Sequence, residues 1–434
     1  MKISLRRRRV VLGLVLAVVL VGALVAVVLA YPAWSAKRGD DAHWVANRSA
    51  AALLDYDDKR MLAVDSEGEL LVFDRATGAS RRMGRVDLQR RAALLPGGVV
   101  SSVNGRLVVT DTDGEAIWKK ESGGGYTLLA VDVEAGVVVA ADDRSPYNVV
   151  GFDLADGTPV WTVEDVARVG NIRVGVEPAR PPGAFRNTGL VPVLRRGDYP
   201  GPGEPYRPEK WSLLNVVSGG IMATTEMDNP DSPVAAGDVA VPGALADCGD
   251  LSILGGPDVT WPGEPPAVEC EPVWAFDTER VLVPVRVGPD KFAATDDVRL
   301  HSVDLASGKI TELDWTGTLA DTLVDRDGKE LTRSWGRYLF ADGAVYDTRT
   351  GAEKWRGDDV WLASDTGLVA EDLSWIDKLA PGDGDRWLKV VDAATGEPAA
   401  GGYITDDEVV EAYVLDRGEA VVFTTEETIF LTSE

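Results

Sequence analysis

The chain has 434 residues, a formal net charge of −26, 45% hydrophobic residues, 46 glycines, 24 prolines and two cysteines. That length exceeds one ordinary domain but suits one large β architecture, and the glycine and proline content excludes a long-helix protein. The acidic balance excludes nucleic acid and anionic lipid headgroups as direct partners, because it repels their phosphates.

The N-terminus differs from everything after it. Lys2 and Arg6 to Arg9 precede an unbroken apolar run from Val10 to Ala30. About 21 residues at a 1.5 Å rise span the ~30 Å hydrocarbon core, so 10–31 is expected to be an uncleaved transmembrane signal anchor. A cleaved signal peptide is the alternative, with Ala33-Trp34-Ser35 as its small-x-small site, although such apolar regions usually run only ~7–15 residues. The basic 1–9 tail belongs in the cytoplasm, which places the remainder outside at the cell membrane. Residues 1–30 hold five basic and no acidic side chains, so that remainder carries a net charge of −31. Residues 32–50 read as a tether.

From 51 to 434, short apolar runs alternate with Asp/Gly turns. The phrase is clearest at Val150-Gly151-Phe152-Asp153, which leads to Gly157 and Trp161. It returns at Asp347, Gly351 and Trp355, and one residue shorter at Asp111, Gly114 and Trp118. Asp74 with Gly78, Asn215 with Gly219, Asp304 with Gly308 and Asp392 with Gly396 repeat it without the tryptophan. Each phrase reads as a hairpin. The carboxylate caps backbone N–H groups, the glycine takes positive φ, and the tryptophan on the returning strand wedges against a neighbouring unit.

Regular Asp-to-Asp steps of 37 to 45 residues, with several strands per step, predict an all-β fold, a β-propeller of four-stranded antiparallel blades. The 89-residue gap from Asn215 to Asp304 conceals one further unit near Leu251 to Gly256, giving eight blades, or alternatively seven. Thr428 to Leu431 is expected to pair near Met61 to Val64 and close the ring. Two stretches break the rhythm: Pro178 to Pro208, with eight prolines, and Pro257 to Pro272, with five. Both are expected to be loops projecting from one face. Cys248 and Cys270 lie on the exported side, where an oxidising compartment favours a disulfide between them; two reduced, buried thiols are the alternative.

The pattern Asp-x-x-x-Gly-x-x-x-Trp after a β-branched or aromatic strand resembles the repeat of quinoprotein-like (PQQ-like) β-propellers, over roughly residues 50–434. That resemblance implies either a quinone-dependent dehydrogenase or a non-catalytic envelope scaffold. The dehydrogenases are typified by adjacent cysteines in a vicinal disulfide, which are missing here, so neither PQQ nor calcium is expected as a cofactor.

Other chemistry has little support. His43 and His301 are too separated in sequence to suggest a two-histidine metal centre, and His301 reads as a structural strand residue. Asp111-Thr112-Asp113-Gly114-Glu115, Asp325 to Gly328 and Gly382 to Asp385 are acidic turns without the terminal glutamate of a calcium loop, and read as hairpins. Trp261, Trp335, Trp361, Trp375 and Trp387 fall outside the repeated position and are candidates for surface aromatics, with core packing favoured. No catalytic residue stands out. The expectation is a bacterial, membrane-anchored, non-catalytic module that binds an envelope protein; the alternatives are a quinone-dependent oxidoreductase and a sensor of a small ligand or cation.

Overall fold

The structure is a computed structural model that describes residues 42–86, 91–142, 147–169, 183, 186, 189–195, 210–226, 234–236, 239–241, 253, 257–263, 274–275, 280–286, 297–318, 334–341, 343–357, 359–363, 365–372, 386–405, 407–415 and 418–432. The expected transmembrane helix, Cys248 and Cys270 lie outside them. Among the described residues there is no helix, and hence none long and apolar enough to cross a membrane.

The strands form successive antiparallel units in chain order. Unit 1 is Ala52–Tyr56, Arg60–Val64, Glu69–Asp74 and Ser80–Arg85. Unit 2 is Ala92–Leu95, Gly98–Val103, Arg106–Asp111 and Ala116–Glu121. Unit 3 is Tyr126–Asp132, Val137–Asp142, Tyr147–Asp153 and the first part of Pro159–Val169. The end of that long strand pairs instead with Leu190–Arg195, through Val166↔Arg195 and Val169↔Val193. It therefore opens unit 4, which Lys210–Asn215 and Ile221–Glu226 complete.

Unit 5 is Trp274–Ala275, Arg280–Arg286, Asp297–Asp304 and Ile310–Thr318. Unit 6 is Tyr338–Ala341, Ala344–Asp347 and Glu353–Arg356. Unit 7 is Asp359–Ala363, Thr366–Asp372, Arg386–Asp392 and Pro398–Thr405, with Ser334–Trp335 added in parallel. Unit 8 joins both ends of the described chain: Val409–Leu415, Glu419–Thr424 and Thr428–Thr432, then Ala42–Ala46 on the outside.

Apolar clusters fill the boundaries between consecutive units. Phe73 of unit 1 packs with Phe423 of unit 8, Leu94 of unit 2 with Leu62 of unit 1, and Trp118 of unit 2 with Phe152 of unit 3. Leu313 of unit 5 meets Leu339 of unit 6, and Leu388 of unit 7 meets Ala412 of unit 8. Between units 4 and 5 stands a two-stranded ribbon, Val234–Ala236 with Val239–Val241. The cycle returns to its start, as in a β-propeller, and leaves each core between sheets.

The eight units match the expected number by a different route. The eighth is the composite of the chain ends; the interval 216–303 holds the last strand of unit 4, the first strands of unit 5, the ribbon between them and the segment around Thr260, which bridges to Lys309, and of the stretch 251–256 only Ile253 lies among the described residues. Closure also differs from expectation. Met61 to Val64 is already flanked on both edges, by Ala52–Tyr56 and Glu69–Asp74, and has no edge to offer. Instead Thr428 to Leu431 pairs with Ala42–Ala46, inside the stretch read as a tether.

The Pro-rich stretch from 178 to 208 is likewise not one loop. Leu190–Arg195 runs through it as a central strand of unit 4. The rest of that stretch, apart from Gly183, Arg186 and Gly189, lies outside the described residues, as does 264–272 of the second Pro-rich stretch.

Candidate functional site

The repeated phrase builds a single local device. At Asp153 the backbone carbonyl accepts the Gly157 N–H (2.8 Å), and the carboxylate Oδ1 accepts the Ala155 N–H (2.8 Å). Asp74, Asp304 and Asp392 cap their turns with the same oxygen, and Asn215 does so with its amide oxygen. Gly78, Gly157, Gly219, Gly308, Gly351 and Gly396 have φ between +67° and +77°, a region that glycine enters without steric cost.

Trp118, Trp161 and Trp355 occupy the outer strands of their units and reach into the next one. Their indole N–H groups donate to the carbonyls of Leu154 (2.8 Å), Val216 (3.1 Å) and Ala393 (2.8 Å), each one residue past the capping Asp or Asn. Trp44 does the same to Arg75 (2.8 Å). It is the equivalent wedge of the composite unit, stacked between Phe430 (5.3 Å) and Phe73 (6.1 Å). Sequence reasoning missed Trp44 because its phrase is split between the two ends of the chain; its signal was a tryptophan one repeat ahead of Asp74.

The acidic turns at Asp111, Asp304 and Asp347, among the described residues, are tied into this architecture. Asp111 Oδ1 accepts the N–H groups of Asp113 and Glu115 (2.9 Å each), and Asp113 pairs with Arg81 (2.8 Å). Asp347 is fully buried and binds Arg337 (2.8 Å) and the Arg349 N–H (2.9 Å). Burial alone would raise its pKa, but those hydrogen bonds and the Arg337 and Lys354 charges hold it below the ordinary value. Asp304 is likewise held low against the effect of burial, by Ser307 and by Arg280, which also reaches Thr348 O of unit 6.

His301 is buried edge-on against Trp261 (5.4 Å), and burial lowers its pKa. Trp361 is buried and Trp387 partly so. The side chains of Trp335 and Trp375 and the turns at 325–328 and 382–385 lie outside the description. Among the described residues no three His, Cys, Asp or Glu side chains are grouped to hold a metal ion.

One carboxylate does not belong to the repeat. Asp55 lies on Ala52–Tyr56, the first strand of unit 1, which faces its counterpart in unit 2, and it is fully buried. Its Oδ2 accepts the Leu94 N–H of unit 2 (2.7 Å) and its Oδ1 the Tyr56 N–H (2.8 Å). Arg186, from the chain preceding Leu190–Arg195, places Nη2 3.2 Å from Oδ1 and also donates to Tyr56 O. Gly183 N–H donates to Leu54 O (2.9 Å), and Arg186 bridges to Val131 of unit 3. A segment of unit 4 thus spans the first strands of units 1 and 3. Burial outweighs the Arg186 charge and the two N–H donors, and with a contribution from Asp57 it pushes the Asp55 pKa up to about 6.

No family model and no curated protein sequence matches the chain. Several solved structures resemble it in outline. The Dos1 propeller is 8% identical, with 90% of this chain and 96% of that one covered and a TM-score of 0.43. BamB from Moraxella catarrhalis is 13% identical over 87% and 83% of the two chains, with a TM-score of 0.30. The Pan2 WD40 domain from Neurospora crassa is 9% identical over 88% of each, with a TM-score of 0.35. The fold assignment rests on the strand order, register and closure described above.

Proposed function

We propose that this protein is a membrane-anchored, extracytoplasmic β-propeller that acts as a non-catalytic protein-binding or scaffold module in the cell envelope. The observation that carries this reading is the seat of Gly183 and Arg186 on the first strands of units 1 and 3. The buried carboxylate there is already matched by the chain's own guanidinium and two peptide N–H groups. The donor set serves structure, which leaves recognition to the loops, as on other repeat scaffolds.

The repeat resembles that of quinoprotein-like propellers, and the missing pair of adjacent cysteines supports the non-catalytic reading over the dehydrogenase one. The net charge of −31 beyond residue 30 favours a neutral or basic protein partner over nucleic acid. The apolar run from Val10 to Ala30, led by four arginines, supports an anchor with the propeller outside.

Titration of the purified full-length protein with PQQ and with calcium, singly and together, tests the non-catalytic reading. An unchanged melting temperature and no oxidation of alcohols or sugars are expected. Stabilisation by quinone with calcium, accompanied by turnover, would overturn it in favour of an oxidoreductase, and stabilisation by a cation alone would make the protein a sensor.

A further inference from the structure

The acid excess of the chain is not shared evenly around the ring. Residues 52–121, which hold units 1 and 2, carry 11 basic against 12 acidic side chains, whereas 122–434 carry 25 against 56. In units 1 and 2 the outer strands are basic. Ser80–Arg85 and Ala116–Glu121 present Arg81, Arg82, Arg85, Lys119 and Lys120 against one acid, Glu121, which Arg106 occupies (2.6 Å). The outer strands of units 3 to 7 hold six acids and three bases. The two basic strands adjoin, since Gly114, in the turn before Ala116–Glu121, lies against the Arg82 carbonyl. Arg81 pairs with Asp113 (2.8 Å) and Arg82 with Glu69 (3.2 Å), both at the surface, where such pairs are weak, and Lys120 reaches the unit 3 turn at Asp156. Arg85 and Lys119 are exposed and have no ion pair among the described residues, and Ile117, two residues before Lys119, is 54% exposed.

We propose that this basic rim of units 1 and 2 rests on the anionic phospholipid headgroups of the membrane that holds the chain, an inference that depends on the anchor proposed above. Charge and attachment point to the same edge of the ring. The whole-chain balance repels anionic lipid, but a tethered body of uneven charge turns its least negative side to an anionic surface. Arginines and lysines on that side meet the phosphates, and Ile117 among them meets the interface. The attachment is independent of the charge. Ala42 lies 11 residues beyond the expected end of the span at 31, a reach of at most about 40 Å. Ala42–Ala46 is the outer strand of unit 8, and its Trp44 stacks on Phe73 and donates to Arg75 O of unit 1. The chain is therefore held by the edge beside the basic rim. An acidic protein segment would match the charge, but it would not account for this placement next to the tether. Resting on this rim directs the acid-rich units away from the bilayer, toward a basic partner.

Amine labelling of the full-length protein, in nanodiscs of phosphatidylcholine alone and of phosphatidylcholine with phosphatidylglycerol, reads this contact residue by residue through mass spectrometry. Labelling of Lys119 is expected to fall several-fold in the anionic discs at about 0.1 M salt and to recover at about 1 M, where the Debye length shrinks to about 3 Å. Lys309 of unit 5 and Lys354 of unit 6, both exposed, should label equally in the two discs. The Arg82→Gln, Arg85→Gln double variant should lose the protection of Lys119 while keeping the wild-type melting temperature; Arg85→Gln alone, at a side chain with no ion pair, should weaken it and serves if the double variant does not fold. Equal labelling of Lys119 in the two discs would overturn the lipid contact, and protection found only in native membranes would assign the rim to an acidic protein. Protection that survives 1 M salt or the Arg85→Gln substitution, or that extends equally to Lys354, would also overturn it. Failure to enter even the neutral discs would refute the anchor, and the contact with it.

Discussion

Trp118 donates its indole N–H to the carbonyl oxygen of Leu154, 2.8 Å away across the boundary between units 2 and 3. The same ring lies under Gly157, where a Cβ would stand 2.8 Å from Cδ2. Glycine is required there twice over, by its φ of +72° and by the ring beneath it. Gly157→Ala is expected to cost about 2–4 kcal/mol in chemical denaturation, combining left-handed strain with overpacking. Gly97→Ala, at a position with open space around it, should stay within about 0.5 kcal/mol. Equal costs at the two sites would refute the interlock.

Closure depends on the chain's first described strand. A fragment of residues 42–434 keeps Ala42–Ala46 on the edge of unit 8, whereas 47–434 leaves Thr428–Thr432 as an open edge and removes Trp44 from between Phe430 and Phe73. The shorter fragment should melt well below the longer one and aggregate through that edge. Trp44→Ala in the full-length chain should cost about 3–5 kcal/mol. Matching melting temperatures for the two fragments would show that the ring closes by other means.

Asp347 and Asp55 should titrate with opposite signs. The pKa of Asp347 is held low, so its contribution is present above the ordinary 3.8 and is lost as pH falls through the folded value. Asp347→Asn should therefore destabilise by roughly 1–3 kcal/mol at pH 7 and by much less near pH 2. For Asp55 the folded pKa is raised, so its contribution is present below 3.8 and is lost as pH rises through about 6. Denaturant midpoints of the two asparagine variants, measured against wild type from pH 2 to 8, check both signs. A gap between Asp347→Asn and wild type that widens in acid would contradict the assignment.

The fold was legible wherever one phrase carried its own turn, cap and wedge, as at Asp153, Gly157 and Trp161. Legibility failed where a unit was assembled from distant pieces. Trp44 and Phe430 belong to one sheet but lie 386 residues apart, and a short strand such as Ala42–Ala46 looks like any stretch of linker before its partner is known. Prolines misled in a second way. Pro192 sits inside Leu190–Arg195, one residue past its last pair with the long strand of units 3 and 4, so proline density there does not mark a loop. Asp55 carried no signal at all. Its neighbours Leu94, Gly183 and Arg186 come from other units, and only the folded ring brings them to one carboxylate.

The scaffold account is tested most directly by cross-linking the tagged full-length protein in its native membranes and identifying the linked peptides by mass spectrometry. The account predicts a recurrent envelope protein joined through residues of the 170–189, 196–209 or 257–272 segments. Repeated preparations with no linked protein, together with a small molecule or cation that stabilises the purified chain, would contradict it.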